Sequence, residues 1–464
     1  MLVIISDLHL SDGTSGETIS AGAFRIFRER LSDMAYDASW RTDGTYKPVA
    51  RLELLLLGDI LDLIRSTRWV TDIRDGYRRV RPWDDHTSQP FIDKVRTISG
   101  SVLDHNANSL AVLSGLNDGQ SVTIPPATAA GLPARVSRDP KDPNRVPVEV
   151  RAHYMVGNHD WFYHLPGPAY DEIRQSVVEA MGLVNSPFEP FPHDPAESTM
   201  LQEIFDAHQV LARHGDIFDP NNYEVESGRN ASSLGDAVVV EILNRFPTEV
   251  AQRMGPELPE ACLDGLKELD NVRPMLVIPI WINGLLRRTC ADDYQIRQVK
   301  QIWDELADDF LSLSFVRSRD KALDFFDGVD QLEWALKFSK GVSLQTMSEL
   351  ITWIKAKIGR SEETYFEAAL AEPAFRNKRA KYFVNGHTHH REIIPLDTVD
   401  QAGKRFDQMY FNSGTWRRVH ELARFNPREQ EFMGYHEMTY FAFYQSDERK
   451  GRPYEGWSGT LGIR

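Results

Sequence analysis

Apolar residues in this chain gather in short runs, and most of the runs stop at a glycine or a ligand-type residue. Leu2 to Ser6 is almost wholly apolar and feeds straight into Asp7. Leu52 to Leu57 ends at Gly58, Val148 to Val156 at Gly157, and Lys381 to Asn385 at Gly386. Short runs without polar alternation predict buried strands. Pro147 sits just before the third of these, where a proline removes no ladder hydrogen bond. Leu201 to Phe205 and Gln209 to Arg213 read as a strand pair around Asp206 and Ala207, and Gln408 to Asn412 and Glu437 to Tyr444 as further strands. Helical spacing predicts helices over Thr18 to Ala38, where Phe24, Phe27 and Leu31 recur, over Phe91 to Leu113, and over Pro168 to Met181. The Gly- and Pro-rich stretch from Asn117 to Asn144 has the composition of a mobile insertion.

From about Asp219 to Ala380 the strand signals fade. Amphipathic patterns follow one another instead, at Ala291 to Leu313, Lys321 to Phe338 and Ser343 to Ile358. The pattern divides the chain into a core in two parts, 1–219 and 381–464, interrupted by a helical insertion over 220–380.

The strand ends carry the candidate chemistry. In order they read Asp7-Leu8-His9, Gly58-Asp59-Ile60-Leu61-Asp62, Gly157-Asn158-His159-Asp160, His214-Gly215-Asp216 and Gly386-His387-Thr388-His389. Ligands of open α/β sheets bind outside strand ends, so distant segments can converge there. Carboxylates, imidazoles and one carboxamide are the donors that two divalent cations need. A strand-end Asp59 can bridge two ions, and Asp62 orients a neighbour or caps a helix. Asp160 is placed to hold His159 in one tautomer and raise its pKa. Taken singly, each motif has a bland explanation, such as a helix cap, an Asx turn or a structural histidine. His153, His164, His390 and His420 get that bland reading, although His164 lies close enough in sequence for its ring to reach the cleft.

As an ensemble the blocks resemble the calcineurin-like metallophosphoesterase family, whose pattern runs DxH, GDxxD, GNH followed by Asp or Glu, H, and GHxH. The resemblance implies an α+β fold, a four-layer αββα metallophosphoesterase sandwich carrying here a large helical cap insertion. It implies two metals between strand ends; the mixed N/O donor set suits divalent ions, Mn²⁺ first, with Fe, Zn²⁺, Co²⁺ or Ni²⁺ as alternatives. Asp7, His9, Asp59 and His389 would hold one ion, and Asp59, Asn158, His214 and His387 the other. His159 would steady the transition state or protonate the leaving oxygen, with Asp160 behind it. The implied reaction is hydrolysis of a phosphodiester or pyrophosphate by a hydroxide shared between the cations.

The second and third blocks depart from the Ser/Thr protein phosphatase branch, which has an arginine-rich extension after the second and Glu ending the third. The His214 block and the position of the insertion are similar to UDP-2,3-diacylglucosamine pyrophosphohydrolases. His159 stands where that family typically has Arg, so a lipid substrate does not follow. Arg417 and Arg418, after Asn412-Ser413-Gly414-Thr415-Trp416, are the candidate substrate-binding residues. The Arg65 to Arg81 segment is interleaved with aspartates and reads as a solvated surface. Met275 to Leu285, apolar on nearly all sides, reads as a buried helix of the insertion rather than a membrane contact.

Composition narrows the partners. A net charge of -15 argues against whole-surface nucleic-acid binding, leaving a phosphorylated small molecule as the expected partner and a nuclease as the alternative. A non-catalytic interaction module is a third reading. Two cysteines are no disulfide framework, the first strand begins at Leu2, and no stretch is long enough to span a bilayer. The expected compartment is the cytoplasm.

Overall fold

A computed structural model describes residues 1–71, 79–273, 275–290, 292–320, 365–401, 403–423 and 431–462. The helices expected at Lys321 to Phe338 and Ser343 to Ile358, and residues 72–78 of the arginine segment, lie outside the described residues. The fold is mixed α+β. Its strands are β1 (Leu2–Ile5), β2 (Arg51–Leu57), β3 (Thr123–Ile124), β4 (Val146–Pro147), β5 (Glu149–Met155), β6 (Val210–Ala212), β7 (Val272–Arg273), β8 (Tyr382–Asn385), β9 (Arg391–Gln401), β10 (Lys404–Ser413), β11 (Arg418–Leu422), β12 (Phe432–Phe443) and β13 (Tyr454–Gly462). A seven-stranded sheet runs β5-β2-β1-β12-β11-β7, with β13 also on β12. A four-stranded sheet runs β6-β8-β10-β9.

Strands β5, β2 and β1 are mutually parallel, so the first three motifs leave the same sheet edge. Strands β6, β8 and β10 are likewise parallel and deliver His214 and Gly386 together. Successive residues of β1 bury on opposite faces, as strand geometry requires. Leu2 and Ile4 pack with Leu55, Leu57, Tyr382, Val384, Phe411 and Phe441, which joins the two sheets face to face. Val3 and Ile5 face the other way, toward Phe24, Phe27 and Leu31 of the helix Ala21–Ala38. On the far face of the smaller sheet, Phe383 and Tyr410 pack against Tyr365, Ala369 and Ala374.

Several elements differ from expectation. Thr199–His208 is a helix, not the first half of a strand pair. Ser198 accepts the Leu201 N–H as its N-cap, and Leu201, Ile204, Phe205 and His208 form one buried stripe. The helix expected over Phe91 to Leu113 is two, Gln89–His105 and Ala107–Ser114, divided at Asn106, whose amide is taken by the Ser11 and Val102 carbonyls. The 117–144 stretch closes the small β3–β4 pair. Pro147 is part of that pair and precedes the ladder of β5.

The insertion is not wholly helical. Its β7 pairs in parallel with β11 and so joins the main sheet. Its described helices, including Arg245–Met254, Ile278–Thr289 and Asp293–Ser312, share one apolar cluster with β1 and β2. Trp281 is buried against His420 and Phe432, as expected of a core helix. Arg65 and Arg81, expected in solvent, are buried, because each is paired with a carboxylate, Asp270 and Glu241 respectively. No helix among the described residues is long and apolar enough to cross a membrane.

Candidate metal centre

The strand-end motifs meet. Backbone bonds tie them before any side chain is considered: Asp7 N–H donates to Gly58 O at 3.1 Å, His9 N–H to Asp59 O at 2.9 Å, and Gly386 N–H to His214 O at 2.8 Å. Asp7, His9, Asp59, His387 and His389 all have positive φ, and they are five of the ten non-glycine residues that do so among the described residues. Each such residue costs about 1–3 kcal/mol, and strain of this kind concentrates at functional sites. The motif glycines have a steric reason. A Cβ on Gly58 would lie 2.5 Å from His214 Nδ1, and one on Gly386 would collide with Asp7 Oδ2 and Ser6 Oγ.

All seven candidate ligands converge. His389 Nε2 lies 3.3 Å from Asp7 Oδ1 and 2.9 Å from His9 Nε2. Asp59 Oδ2 stands between the two halves of the site, 3.7 Å from His9 Nε2 and 3.2 Å from His214 Nε2. Its Oδ1 accepts the His159 N–H at 2.8 Å. His387 Nδ1 lies 2.9 Å from Asn158 Oδ1. The donor atoms fall into overlapping groups, Asp7–His9–His389, His9–Asp59–His159 and Asp59–His214–His387, within 4.8 Å inside each group.

Three histidines have one ring nitrogen fixed from behind. His9 Nδ1 donates to Asp62 at 2.7 Å, His214 Nδ1 to the Leu57 carbonyl at 2.9 Å, and His387 Nε2 to Asp219 at 3.2 Å. In the neutral ring this leaves a lone pair on the other nitrogen, turned on the carboxylates and on Asn158. Asn158 is set by Asn222, which accepts from its Nδ2 at 3.3 Å and leaves Oδ1 facing His387. His214 Nε2 is buried with no aligned hydrogen-bond partner. Acceptors facing acceptors, and an orphaned imidazole nitrogen, are what a divalent cation satisfies. The residues therefore fit two cations sharing Asp59. His389 fits after one change. Arg273 donates to its Nδ1 at 3.2 and 2.8 Å, so that ring carries its proton on Nε2; to hold a cation through Nε2 the proton must shift to Nδ1 and Arg273 must turn away.

Charge explains the proton balance among these side chains. Burial opposes ionisation of Asp7 and Asp59, but the His214 charge and hydrogen bonds from neighbouring imidazoles outweigh it, holding both carboxyls well below their usual range. Asp62 is lowered in the same way, against burial, by His159 and His9. In return Asp59 and Asp7 raise His214 despite its burial. His159 is raised to about 10, against burial, by Asp62 and then Asp59. His389 is pushed down by burial and by the Arg273 charge.

Asp160 does not do what its position suggests. It accepts from Gly157 N–H at 2.6 Å, Ile60 N–H at 2.9 Å and Tyr154 O–H at 2.7 Å, so it folds the motif turn. Burial and the Asp59 charge raise it to about 6. The partner of His159 is Asp62, which accepts from its Nδ1 at 2.9 Å. Asp62 thus orients His9 and His159 together, the orienting role expected of it. Asp216 is also structural, paired with Arg229, which donates to the Gly157 carbonyl at 3.2 Å.

The candidate arginines separate. Arg418 contacts Glu17 at 2.9 Å and Glu268 at 3.7 Å, not any candidate ligand. Arg417 is buried and joins Arg65 on Asp270, at 2.8 and 2.5 Å. Arg273 adds a third guanidinium, its Nη1 on the Asp270 carbonyl at 2.7 Å. Two buried guanidinium groups and the half-buried Arg273 around Asp270 leave excess positive charge beside His389. Burial and the charge of Arg65 lower Arg417 to about 9, with Asp270 opposing. Sequence reasoning missed Asp270 and Arg273, which carry no motif and sit inside the insertion. It also missed Asp219, whose one signal was a second aspartate just after the His214 block. His153 pairs with Glu53 at 2.7 Å and His420 with Glu268 at 3.4 Å, both structural. His164 turns to His193 and Glu197 and joins none of the central groups. Compared with protein-family models and with curated proteins, the sequence matches neither.

Proposed function

We propose that this chain is a two-metal phosphohydrolase of the calcineurin-like metallophosphoesterase type, cleaving a phosphodiester or pyrophosphate bond of a small molecule. The observation that carries the reading is the convergence of Asp7, His9, Asp59, Asn158, His214, His387 and His389, with acceptor atoms of His387 and Asn158 aimed at one another and carboxylates behind two of the imidazoles. Two faced sheets with helices on their outer faces fit the four-layer sandwich of that family. Bound there, two divalent cations would supply the Lewis acidity and positive charge that hydrolysis of a phosphate ester requires.

The chain's own residues account for the rest. Asp62 holds the His159 Nδ1 proton, which leaves Nε2 to carry a second proton to the departing oxygen. Asp59 fixes the His159 backbone, so the proton donor and the ligand shared by both halves of the site move as one unit. Arg273 can exchange His389 for a phosphate oxygen, and the surplus charge of Arg65 and Arg417 favours a dianionic or diphosphate group there. Because Arg65 and Arg417 are buried and Arg273 half-buried around Asp270, they make a compact anion grip rather than an open basic groove, which favours a small molecule over nucleic acid.

The experiment compares a phosphomonoester, a phosphodiester, nucleotide-diphosphate conjugates and single-stranded DNA across Mn²⁺, Fe²⁺, Co²⁺, Ni²⁺ and Zn²⁺. Chelator-sensitive turnover of the diester or diphosphate is expected. A metal-loaded chain that turns over nothing contradicts the enzyme, and activity on the monoester alone contradicts the choice of bond.

A further inference from the structure

A second cluster of donors lies apart from the seven central residues. His164 closes the turn Trp161–His164, just after His159. Its Nε2 is 3.4 Å from Glu197 Oε1, and His193 Nδ1 is 2.9 Å from the same oxygen. The two rings meet edge to face with centroids 5.0 Å apart. The three donor atoms lie within 4.8 Å of one another.

Two of the donors are held from behind. His164 Nδ1 donates to Asn230 Oδ1 at 2.7 Å, which in a neutral ring leaves a lone pair on Nε2. Glu197 Oε2 accepts the backbone N–H of His193 at 2.9 Å and of Asp194 at 3.3 Å, as half of a capping box. Its Oε1 is left for the rings. His193 Nδ1 is buried and makes no aligned hydrogen bond. Two imidazole nitrogens and one carboxylate oxygen are a donor set for a late first-row cation, with solvent completing a tetrahedron. A histidine whose other nitrogen is fixed on a neighbouring acceptor is the usual companion of such a site.

We infer that His164, His193 and Glu197 form a peripheral zinc-type site that fastens the turn after His159 to the segment leading to His214. Helix Thr199–His208 and then β6 follow Glu197 directly. Backbone bonds already align the two segments, Phe191 N–H on Tyr163 O at 3.1 Å and Val156 N–H on Pro192 O at 2.9 Å. The ion clamps a junction that is in register before it binds. It thereby braces two of the segments that build the main centre, without contributing a ligand to that centre.

The test strips the full chain with chelator, reloads it with Zn²⁺, dialyses it and counts retained zinc by mass spectrometry. Wild type is compared with His193→Ala and Glu197→Gln; the glutamine keeps an acceptor for the backbone N–H groups and removes the charge. Each variant is expected to retain one zinc equivalent fewer than wild type and to show a smaller zinc-induced rise in melting temperature. Asn230→Ala should weaken zinc binding about 10–100-fold. Because the reading is a difference between chains, it holds whether or not the central site takes zinc. Equal zinc retention in wild type and in both variants, folded by circular dichroism, reduces the cluster to an ion pair and overturns the inference. Should His193→Ala fail to fold, Glu197→Gln decides.

Discussion

Asp62→Asn separates the two aspartates that could stand behind His159. In the structure one carboxylate, Asp62, accepts from His9 Nδ1 and His159 Nδ1, at 2.7 and 2.9 Å, and takes the Arg65 N–H at 3.0 Å. Asparagine keeps the size but offers one acceptor oxygen, so it cannot serve both rings, and its NH₂ faces a ring donor. The charge is lost as well. Removing an opposite charge at hydrogen-bond distance lowers the pKa of a cationic imidazole by about 1–3 units, or about 1.4–4 kcal/mol. Wild-type His159 stands at about 10, so in Asp62→Asn it should titrate at about 7–9. The assay is NMR of the metal-free chain with isotope-labelled histidine, followed across pH. Asp160→Asn is the control, since Asp160 is committed to two backbone N–H groups and Tyr154. It should destabilise the turn and leave the His159 titration where it is. Metal affinity or turnover of Asp62→Asn should fall about 10–100-fold, as for other groups that orient a ligand. A His159 titration that does not move in Asp62→Asn, or that moves equally in Asp160→Asn, shows that Asp62 is not the group that sets the His159 proton.

Other outcomes follow from the same geometry. His159→Ala should lower kcat by about 10²–10⁴ while metal content is kept, since this ring donates to Asp62 and lines the site; unchanged turnover removes it from the chemistry. Arg273→Ala should raise KM by about 10–100-fold, the worth of a hydrogen bond to a charged group, with metal content retained; an unaltered KM would show that the guanidinium does not hold substrate. Stability of the metal-free chain should fall on both sides of neutrality. His159 and His214 are raised in the folded state, so the stability they contribute is full below about pH 6.5 and is lost as pH rises toward about 10, the folded value of His159. Asp7, Asp59 and Asp62 are depressed, so their contribution is present above about pH 4 and is lost in acid. Urea midpoints measured in chelator at pH 3, 6.5 and 10 check this, and a midpoint that rises at either extreme contradicts it.

Much of the site was legible because its signals are local. Apolar runs such as Leu54 to Leu57 mark strands buried on both faces, and the glycine at each exit marks a close approach that a Cβ would block. Strands that end in ligand-type residues were therefore found, and the structure brings all seven together. Tertiary partners were not legible. Whether Asp62 or Asp160 faces His159 depends on how two turns pack, and both lie within a few residues of a motif. Arg273 reaches His389 only because β7 joins β11, a two-residue pairing that periodicity cannot reveal. The helix Thr199–His208 resembles a strand in sequence because its apolar residues cluster, although Ser198 is a helix N-cap signal. Strands β9, β11 and β13 leave no apolar run in the sequence because they are largely half-exposed or exposed, with too few buried positions.

Diffraction from crystals loaded with Mn²⁺, collected for its anomalous signal with Asp59→Asn alongside, decides whether two cations share Asp59. Two peaks are expected in the wild-type chain. One should lie against Asp7, His9, Asp59 and His389, the other against Asp59, Asn158, His214 and His387, and both should weaken in the variant. A loaded crystal with no density among these side chains, or with full occupancy in Asp59→Asn, contradicts it.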